Sequence, residues 1–287
     1  MRTLYKGCTG EDVRYLQYFL GIESDGQFGN GTNAAVKARQ AKDGLAPDGY
    51  VGKGTQTKWG LSDFKVDIYD KSEVYFAGYP YKADVKPPKT LKKWAIEENA
   101  DFVYNLAFFN SRGNGNDRYG VIKGRTITYL KGKGYTIGYN SSLGTAERIE
   151  IDKDNICSGY KLAIKDGIAK HVSSWGKRTR NANGLLKDGR YFHIQGVVKS
   201  TETAIRNHMF ENYDVDLMLI QDSGGSTAFY DWKKNVLLAC EGRREGFYGR
   251  PVASVVCIRK TPQDTPQDTP QDTRVFCKLC GQEIKNG

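Results

Sequence analysis

Leu217-Met218-Leu219-Ile220-Gln221-Asp222-Ser223-Gly224-Gly225-Ser226-Thr227-Ala228-Phe229-Tyr230 joins two strand-like runs through a turn of small residues. The apolar run Leu217 to Ile220 has the character of a buried strand. Thr227 to Tyr230 reads as strand again. Between them Asp222 enters a turn in which Gly224 and Gly225 permit close approach of a ligand. Successive N–H groups of such a turn can cradle an anion. A carboxylate, the hydroxyls of Ser226 and Thr227 and an anion cradle therefore meet at one point. On these residues alone, a hairpin in which Asp222 bonds its own backbone is the simpler reading.

Working upstream, a helix is expected from about Thr201, with Ala204, Ile205, His208 and Met209 facing inward. Before it, Gly184–Lys187 and Tyr191–Val198 read as a strand pair. The basic cluster Lys177-Arg178-Thr179-Arg180-Asn181 leads into that pair, and its ordinary reading is a solvated face. Short alternating runs lie at 126–130, 135–139, 148–151 and 160–164. Asp101 to Phe109 reads as a strand ending in Asn110, followed by a polar loop. Thr90 caps a helix carrying Leu91, Trp94 and Ala95. Phe64, Val66 and Ile68 alternate with charges, as in a strand with one buried face, and Val74 to Ala77 is its neighbour. Downstream, Val252 to Ile258 is the last strand, preceded by Gly249-Arg250-Pro251. The spacing implies an α+β protein with a mainly antiparallel sheet system and a few packed helices.

The stretch 4–60 differs in pattern. Asp25-Gly26-Gln27-Phe28-Gly29-Asn30-Gly31-Thr32 recurs downstream as Asp48-Gly49-Tyr50-Val51-Gly52-Lys53-Gly54-Thr55. Each copy suits a tight turn, one buried anchor and a Thr N-cap opening a helix. Thr9 is expected to cap an earlier helix bearing Val13, Leu16, Phe19 and Leu20. The result is a compact three-helix unit.

At the other end, Thr261-Pro262-Gln263-Asp264 repeats three times to Asp272. It is an extended, low-complexity linker. The tail Val275-Phe276-Cys277-Lys278-Leu279-Cys280-Gly281 looks like half of a zinc ribbon. A closed structural zinc site wants four ligands, so Cys277 and Cys280 would need a second tail, which makes a dimer, or a partner's ligands. A disordered end is an equal reading. Four units result: 1–62, 63–260, 261–273 and 274–287.

The chain has 287 residues, a formal net charge of +10 and six cysteines. The charge favours polyanionic partners, such as an anionic wall polymer. The basic residues are scattered and form no nucleic-acid motif, which makes nucleic acid the weaker partner. The cysteines are too dispersed for a disulfide framework; Cys240 and Cys257 lie in apolar surroundings and read as buried thiols. No apolar run approaches the ~20 residues of a membrane span. Met1 to Gly7 lacks the apolar core of a signal peptide. The expectation is synthesis in the cytoplasm and delivery to the wall by another route, as for a phage lysis or virion-associated protein.

Two resemblances add to this. Gly10-x-x-Val13-x-x-Leu16-Gln17-x-x-Leu20 followed by Asp-Gly-x-Phe-Gly resembles the small helical peptidoglycan-binding domain attached to many wall hydrolases, over residues 4–60. The resemblance implies wall binding, with polar groups around Asp25, Asn30 and Gln40 as candidates to face the ligand. Over roughly 64–260, four segments occur in one order: Asn105…Phe108-Phe109, Arg180…Gly184, Asp222 to Thr227 and Arg250-Pro251-Val252-Ala253. Together they resemble the phosphodiester glycosidase (uncovering-enzyme-like) family, which carries Asn-Gly-Gly-Phe-Phe, Arg-Thr-Ala-x-Gly, Asp-Gly-Gly-Gly-Ser-Thr and Arg-Pro-Val-Ala at these places. This chain departs from it at Leu106 and Ala107, at Asn181 and at Ser223. An acidic residue on the helix before the Asp motif aligns nearest to Glu202.

The implied reaction is hydrolysis of an α-N-acetylglucosamine-1-phosphodiester, passing through an oxocarbenium-like state. Asp222 is the candidate carboxylate, with Arg180, Ser226, Thr227 and Glu202 beside it. Arg250, Gly224, Gly225, Asn105 and Asn110 are candidate substrate contacts, the arginines through phosphate. Wall binding and this bond together point to the N-acetylglucosamine-1-phosphate linkage between teichoic acid and peptidoglycan. No cofactor is legible, although an acidic Asp222 pocket can take a divalent cation. Another class of wall hydrolase, or a non-catalytic binder of sugar phosphate, is the alternative. His171, His193 and His208 form no His-Glu-x-x-His motif, and no second carboxylate of a muramidase pair can be named.

Overall fold

The computed structural model describes residues 1–78, 89–106, 121–122, 125–126, 147–152, 155–159, 161–172, 176–239, 251–252, 254–260, 275–276 and 283–284. Three helices come first: α1 Glu11–Leu20, α2 Asn30–Lys42 and α3 Lys53–Trp59. Their core is Leu4, Val13, Leu16, Phe28, Val36, Val51, Trp59 and Leu61.

The internal repeat runs deeper than its turn. Gln17 Nε2 donates to Asp25 Oδ1 (2.7 Å), the Gln27 carbonyl (3.0 Å) and Thr32 Oγ1 (3.0 Å). Its Oε1 accepts from the Gly26 N–H at 2.7 Å. Gln40, at the matching place before the second turn, repeats the set with Asp48 Oδ1 (2.9 Å), the Tyr50 carbonyl (2.9 Å), Thr55 Oγ1 (3.5 Å) and the Gly49 N–H (2.9 Å). Each buried glutamine thus satisfies a turn that would otherwise hold stranded polar groups. The Gln27 and Tyr50 N–H groups, with the glutamines, hold the Asp25 and Asp48 carboxyls below their usual range.

Two sequence expectations change here, one on a ligand-facing residue and one on the helix caps. Gln40 is 1% exposed, so it braces a turn and does not face a ligand. The helix caps are Gly10, Gly29 and Gly52, not Thr9, Thr32 and Thr55. Thr32 and Thr55 lie inside their helices and are taken up by the glutamine brace, while Thr9 bridges to Gln27. Asp25 and Asn30 remain on the surface.

The larger unit is a mixture of antiparallel sheet and a few helices. Its elements are β1 Phe64–Tyr69, β2 Val74–Gly78, α4 Leu91–Glu98, β3 Phe102–Asn105, β4 Val121–Ile122, β5 Arg125–Thr126, β6 Arg148–Asp152, β7 Asn155–Ser158, β8 Lys161–Lys165 and β9 Ile168–Ala169. They continue as β10 Asn181–Leu186, β11 Tyr191–Gly196, α5 Glu202–Asn212, β12 Val215–Ile220, β13 Ala228–Asp231, β14 Val236–Ala239 and β15 Ser254–Ile258. One sheet has the order β1-β11-β10-β12-β8-β9 and the other β14-β13-β3-β15-β2. Neighbouring strands in both are antiparallel.

The sheets share a core in which Tyr69, Tyr191, Leu217 and Leu219 of the first meet Phe76, Tyr104, Phe229, Val256 and Ile258 of the second. Helix α5 covers the outer face of the first sheet through Ile205 and Met209. Helix α4, capped by Thr90 as its sequence implies, covers the outer face of the second through Leu91, Trp94 and Ala95. Among the described residues no helix is long and apolar enough to cross a membrane.

Strand β1 corrects the alternation argument. Phe64, Val66 and Ile68 pack on the α5 side, while Lys65, Asp67 and Tyr69 turn toward the second sheet. Lys65 is 4% exposed. Its Nζ lies 3.9 Å from the Phe229 ring centroid and pairs with Asp67. The strand alternates as expected, but its charged face is the one turned inward.

Because Gln40 satisfies a whole turn, Gln40→Ala is expected to lower the unfolding free energy of the N-terminal unit by roughly 1–3 kcal/mol. Urea denaturation of the full chain checks this.

Candidate active site

The first sheet turns an unusual surface toward the second. In register across it run Lys65, Gln195, Asn181 and then Gln221; the next row is Asp67, His193, Asn183 and Leu219. Gln195, Asn181, Gln221, His193 and Asn183 are each at most 3% exposed. Buried polar groups are normally bonded. Some are here: Gln221 Nε2 donates to Asn183 Oδ1 at 2.7 Å, and Asn183 Nδ2 to the Tyr191 hydroxyl at 3.0 Å. Others are not. Among the described residues, Asn181 Oδ1, Gln195 Oε1, both ring nitrogens of His193, Thr179 Oγ1 and Ser200 Oγ have no hydrogen-bond partner. Asn181 and Gln195 are direct cross-strand neighbours, so two unmet acceptors sit side by side beside the Asp222 turn.

That turn is fixed by a clamp between the sheets. Asn105, the last residue of β3, donates from Nδ2 to the Asp222 carbonyl (2.9 Å) and accepts at Oδ1 from the Ala228 N–H (3.0 Å). Asn181 Nδ2 donates to the carbonyls of Asn105 (2.9 Å) and Asp222 (3.3 Å). The Asp222 N–H donates to the Leu106 carbonyl at 3.0 Å. Thr179 supplies a carbonyl to the Gly224 N–H (2.7 Å) and to Thr227 Oγ1 (3.3 Å). Gly224 has φ +69°, where a side chain is strained. Gly184 has a different reason: a Cβ there would stand 1.9 Å from the Leu217 carbonyl oxygen.

Asp222 is therefore 6% exposed, with its backbone held from both sides. Ser226 and Thr227 are buried beside it, while Gly225 is half-buried. Asn105 is present at the turn, but its amide is spent on backbone and is not open to a sugar. Asn110, Arg250, Cys240, Cys277 and Cys280 lie outside the described residues, as does the 261–273 repeat. Cys257 is buried, as its surroundings imply.

Arg180 and Glu202 form a buried ion pair. The cluster 177–181 is a solvated face only in its first half: Lys177 and Arg178 are exposed, while Thr179, Arg180 and Asn181 are at most 5% exposed. Arg180 donates from Nη1 to Glu202 Oε1 (3.0 Å), from Nε to the Ser200 carbonyl (3.2 Å) and from Nη2 to the Gly176 carbonyl (2.7 Å). Glu202 Oε2 accepts from Lys161 Nζ at 2.6 Å. All three guanidinium nitrogens and both carboxylate oxygens are thus engaged. The pair ties the start of α5 to the strand entering the site.

The sequence alone does not place His193, Gln195, Asn183, Gln221 and Lys65 on this inner polar face. The signal available is polar residues at alternate positions in strands that read as interior. Tyr104 stacks on His193 with centroids 4.0 Å apart. Burial holds the His193 pKa well below its ordinary value, and the Lys65 charge adds to this. Among the described residues no three His, Cys, Asp or Glu side chains are grouped as a metal site groups them.

A two-sheet sandwich with a buried carboxylate turn, joined to a helical repeat unit, is the class of protein these features define. Residues 10–58 match the family model described as "Putative peptidoglycan binding domain", which supports peptidoglycan binding and a role at the cell wall. No curated protein matches the sequence. Among solved structures, the chain is similar to the catalytic domain of zebrafish N-acetylglucosamine-1-phosphodiester alpha-N-acetylglucosaminidase, auto-inhibited by its pro-peptide: 12% identity, TM-score 0.47, 70% of this chain and 84% of that one. It is also similar to a hypothetical protein from Synechocystis: 12% identity, TM-score 0.44, 68% of this chain and 59% of that one.

Arg180→Met takes the guanidinium from a buried carboxylate and is expected to cost roughly 3 kcal/mol of unfolding free energy, as broken buried pairs do; denaturant titration reads it. His193 makes stability depend on pH. The unfolded chain binds a proton there as pH falls below the ordinary 6.5, while the folded chain resists until well lower. Stability therefore falls with pH from about 6.5 downward. His193→Phe is expected to flatten that limb in melts run across the range.

Proposed function

We propose that this protein is a cell-wall-directed hydrolase that cleaves a sugar-1-phosphodiester, with the N-acetylglucosamine-1-phosphate linkage between teichoic acid and peptidoglycan as its candidate bond. One observation carries this. The segments that bear the glycosidase resemblance are far apart in sequence, yet Asn105, Asn181 and Asp222 are hydrogen-bonded to one another. The start of the Arg-Pro-Val-Ala strand is beside them, since the Ser254 carbonyl accepts from the Leu106 N–H at 3.1 Å.

In this reading water adds at C1 and the bond from C1 to the phosphate oxygen breaks. The polymer leaves with a free sugar end, and a phosphomonoester stays on the peptidoglycan. Asp222 faces the positive charge that grows at C1, as stabiliser, nucleophile or base toward water. The departing phosphate is already acidic, so it needs electrostatic stabilisation more than a proton. In the turn the Ser226 hydroxyl and the backbone N–H groups of Gly225 and Ser226 are the candidate donors, because the Ser223 and Thr227 hydroxyls donate to the Gln221 and Thr179 carbonyls; Arg250 is the arginine assigned to the phosphate. The peptidoglycan-binding unit raises the local concentration of the bond to be cut. A divalent cation at Asp222 and a zinc held by Cys277 and Cys280 of two tails remain part of this proposal.

The engagement of Arg180 inside the protein favours a second reading, a domain that binds sugar phosphate without cutting it. Purified walls carrying teichoic acid separate the two. Wild type is expected to release polymer and leave phosphatase-labile phosphomonoesters, and Asp222→Asn to lower the rate at least a hundredfold with wall binding intact. Walls of several types bound by wild type but left uncut would sink the hydrolase.

A further inference from the structure

The repeated turns have one position that folding leaves free. Gln27 and its counterpart Tyr50 both give a backbone carbonyl to the buried glutamine, and neither side chain is needed for the brace. Gln27 and Tyr50 are both exposed. In the second copy that free position carries an aromatic ring. Tyr50 is 53% exposed and Tyr5 is 47% exposed. The two rings lie together, with centroids 5.6 Å apart and planes inclined at 33°.

The local backbone explains the pairing. Leu4 and Val51 form an isolated antiparallel bridge, joined by hydrogen bonds of 3.3 and 2.8 Å. Both their side chains are fully buried in the helical core. Chain neighbours on paired extended segments point to opposite sides. Tyr5 and Tyr50 are therefore driven outward together, on the side away from the core. Single exposed apolar residues, such as Ile96 and Ile168, need no explanation. Two aromatic rings presented side by side form a surface. Tyrosine offers rigid, amphipathic contact area at small entropic cost.

We infer that Tyr5 and Tyr50 form the platform on which the N-terminal unit holds the glycan strand of peptidoglycan. A pyranose ring presents C–H groups on its face and hydroxyls at its rim. An exposed tyrosine pair matches both, with ring faces for the first and hydroxyls for the second. Lys6 and Lys53, both exposed, come shortly after the two tyrosines in sequence and suit the acidic groups of a wall. The inference rests on the peptidoglycan-binding match at 10–58 and is independent of the hydrolase reading.

The test uses the full chain and insoluble peptidoglycan stripped of its anionic polymers, which holds no phosphodiester to cut. Binding is read by co-sedimentation. Tyr5→Ala and Tyr50→Ala are each expected to weaken binding several-fold, and the double variant at least tenfold, with the thermal melt unchanged. Tyr50→Phe is expected to retain most of the affinity, and Ile96→Ala all of it. Tyr50→Gln, which borrows the residue of the first turn, is expected to give the same loss as Tyr50→Ala in a turn whose sister copy folds with glutamine there. Soluble disaccharide fragments of the glycan are expected to compete, and free stem peptides not. Wild-type binding by the double variant would overturn the platform. Competition by stem peptides alone would overturn the glycan as its ligand.

Discussion

The sandwich depends on one clamp, the side chain of Asn105. The chain passes from one sheet to the other through the Asp222–Thr227 turn, and such a crossing strands backbone groups in the interior. Asn105 answers both ends of it, donating to the Asp222 carbonyl and accepting from the Ala228 N–H. Asn181 closes the arrangement from the first sheet. An asparagine suits this because its amide offers donor and acceptor at fixed geometry. The carboxylate of Asp222 is therefore positioned by atoms that are not its own. Its precision comes from the strands of both sheets that meet at the turn.

Much of the fold is legible in the sequence because it follows periodicity and turn chemistry. Thr90 and Thr201 cap the helices expected of them. Strands β10, β11, β12 and β15 fall close to their expected places. The polar interior is not legible. Period-2 alternation identifies two faces of a strand, but assigning the apolar one to the core assumes that only one face is covered. Here α5 covers the apolar face of β1, and Lys65 and Asp67 are left for the inside. Arg180 misleads in the same way, since a charge cluster reads as solvated until a buried Glu202 is known to stand opposite it. The brace of Gln40 is readable in principle: the interval from Gln17 to Gln40 equals that from Asp25 to Asp48, so the glutamines repeat with the turns they hold.

The two units carry chemistry in opposite ways. The helical unit spends the amides of Gln17 and Gln40 on its own turns and keeps outer positions such as Tyr50 free. The sandwich does the reverse. It holds polar side chains in its interior with several of their atoms unmet, and it closes apolar faces outward under helices. Local rules therefore find the turns and core of the helical unit while missing its caps and its glutamine brace, and in the sandwich they fail where the candidate functional residues lie.

The polar interior also bears on how the sandwich responds to temperature. The heat capacity of unfolding rises with apolar surface exposed and falls with polar surface exposed. A core that gives Lys65, Asn181, Asn183, His193, Gln195 and Gln221 to water on unfolding has a smaller heat capacity increment than an aliphatic sandwich of its size. Its stability curve is correspondingly flatter, so the domain keeps a more even stability between cold and warmth than a greasier relative of equal melting temperature.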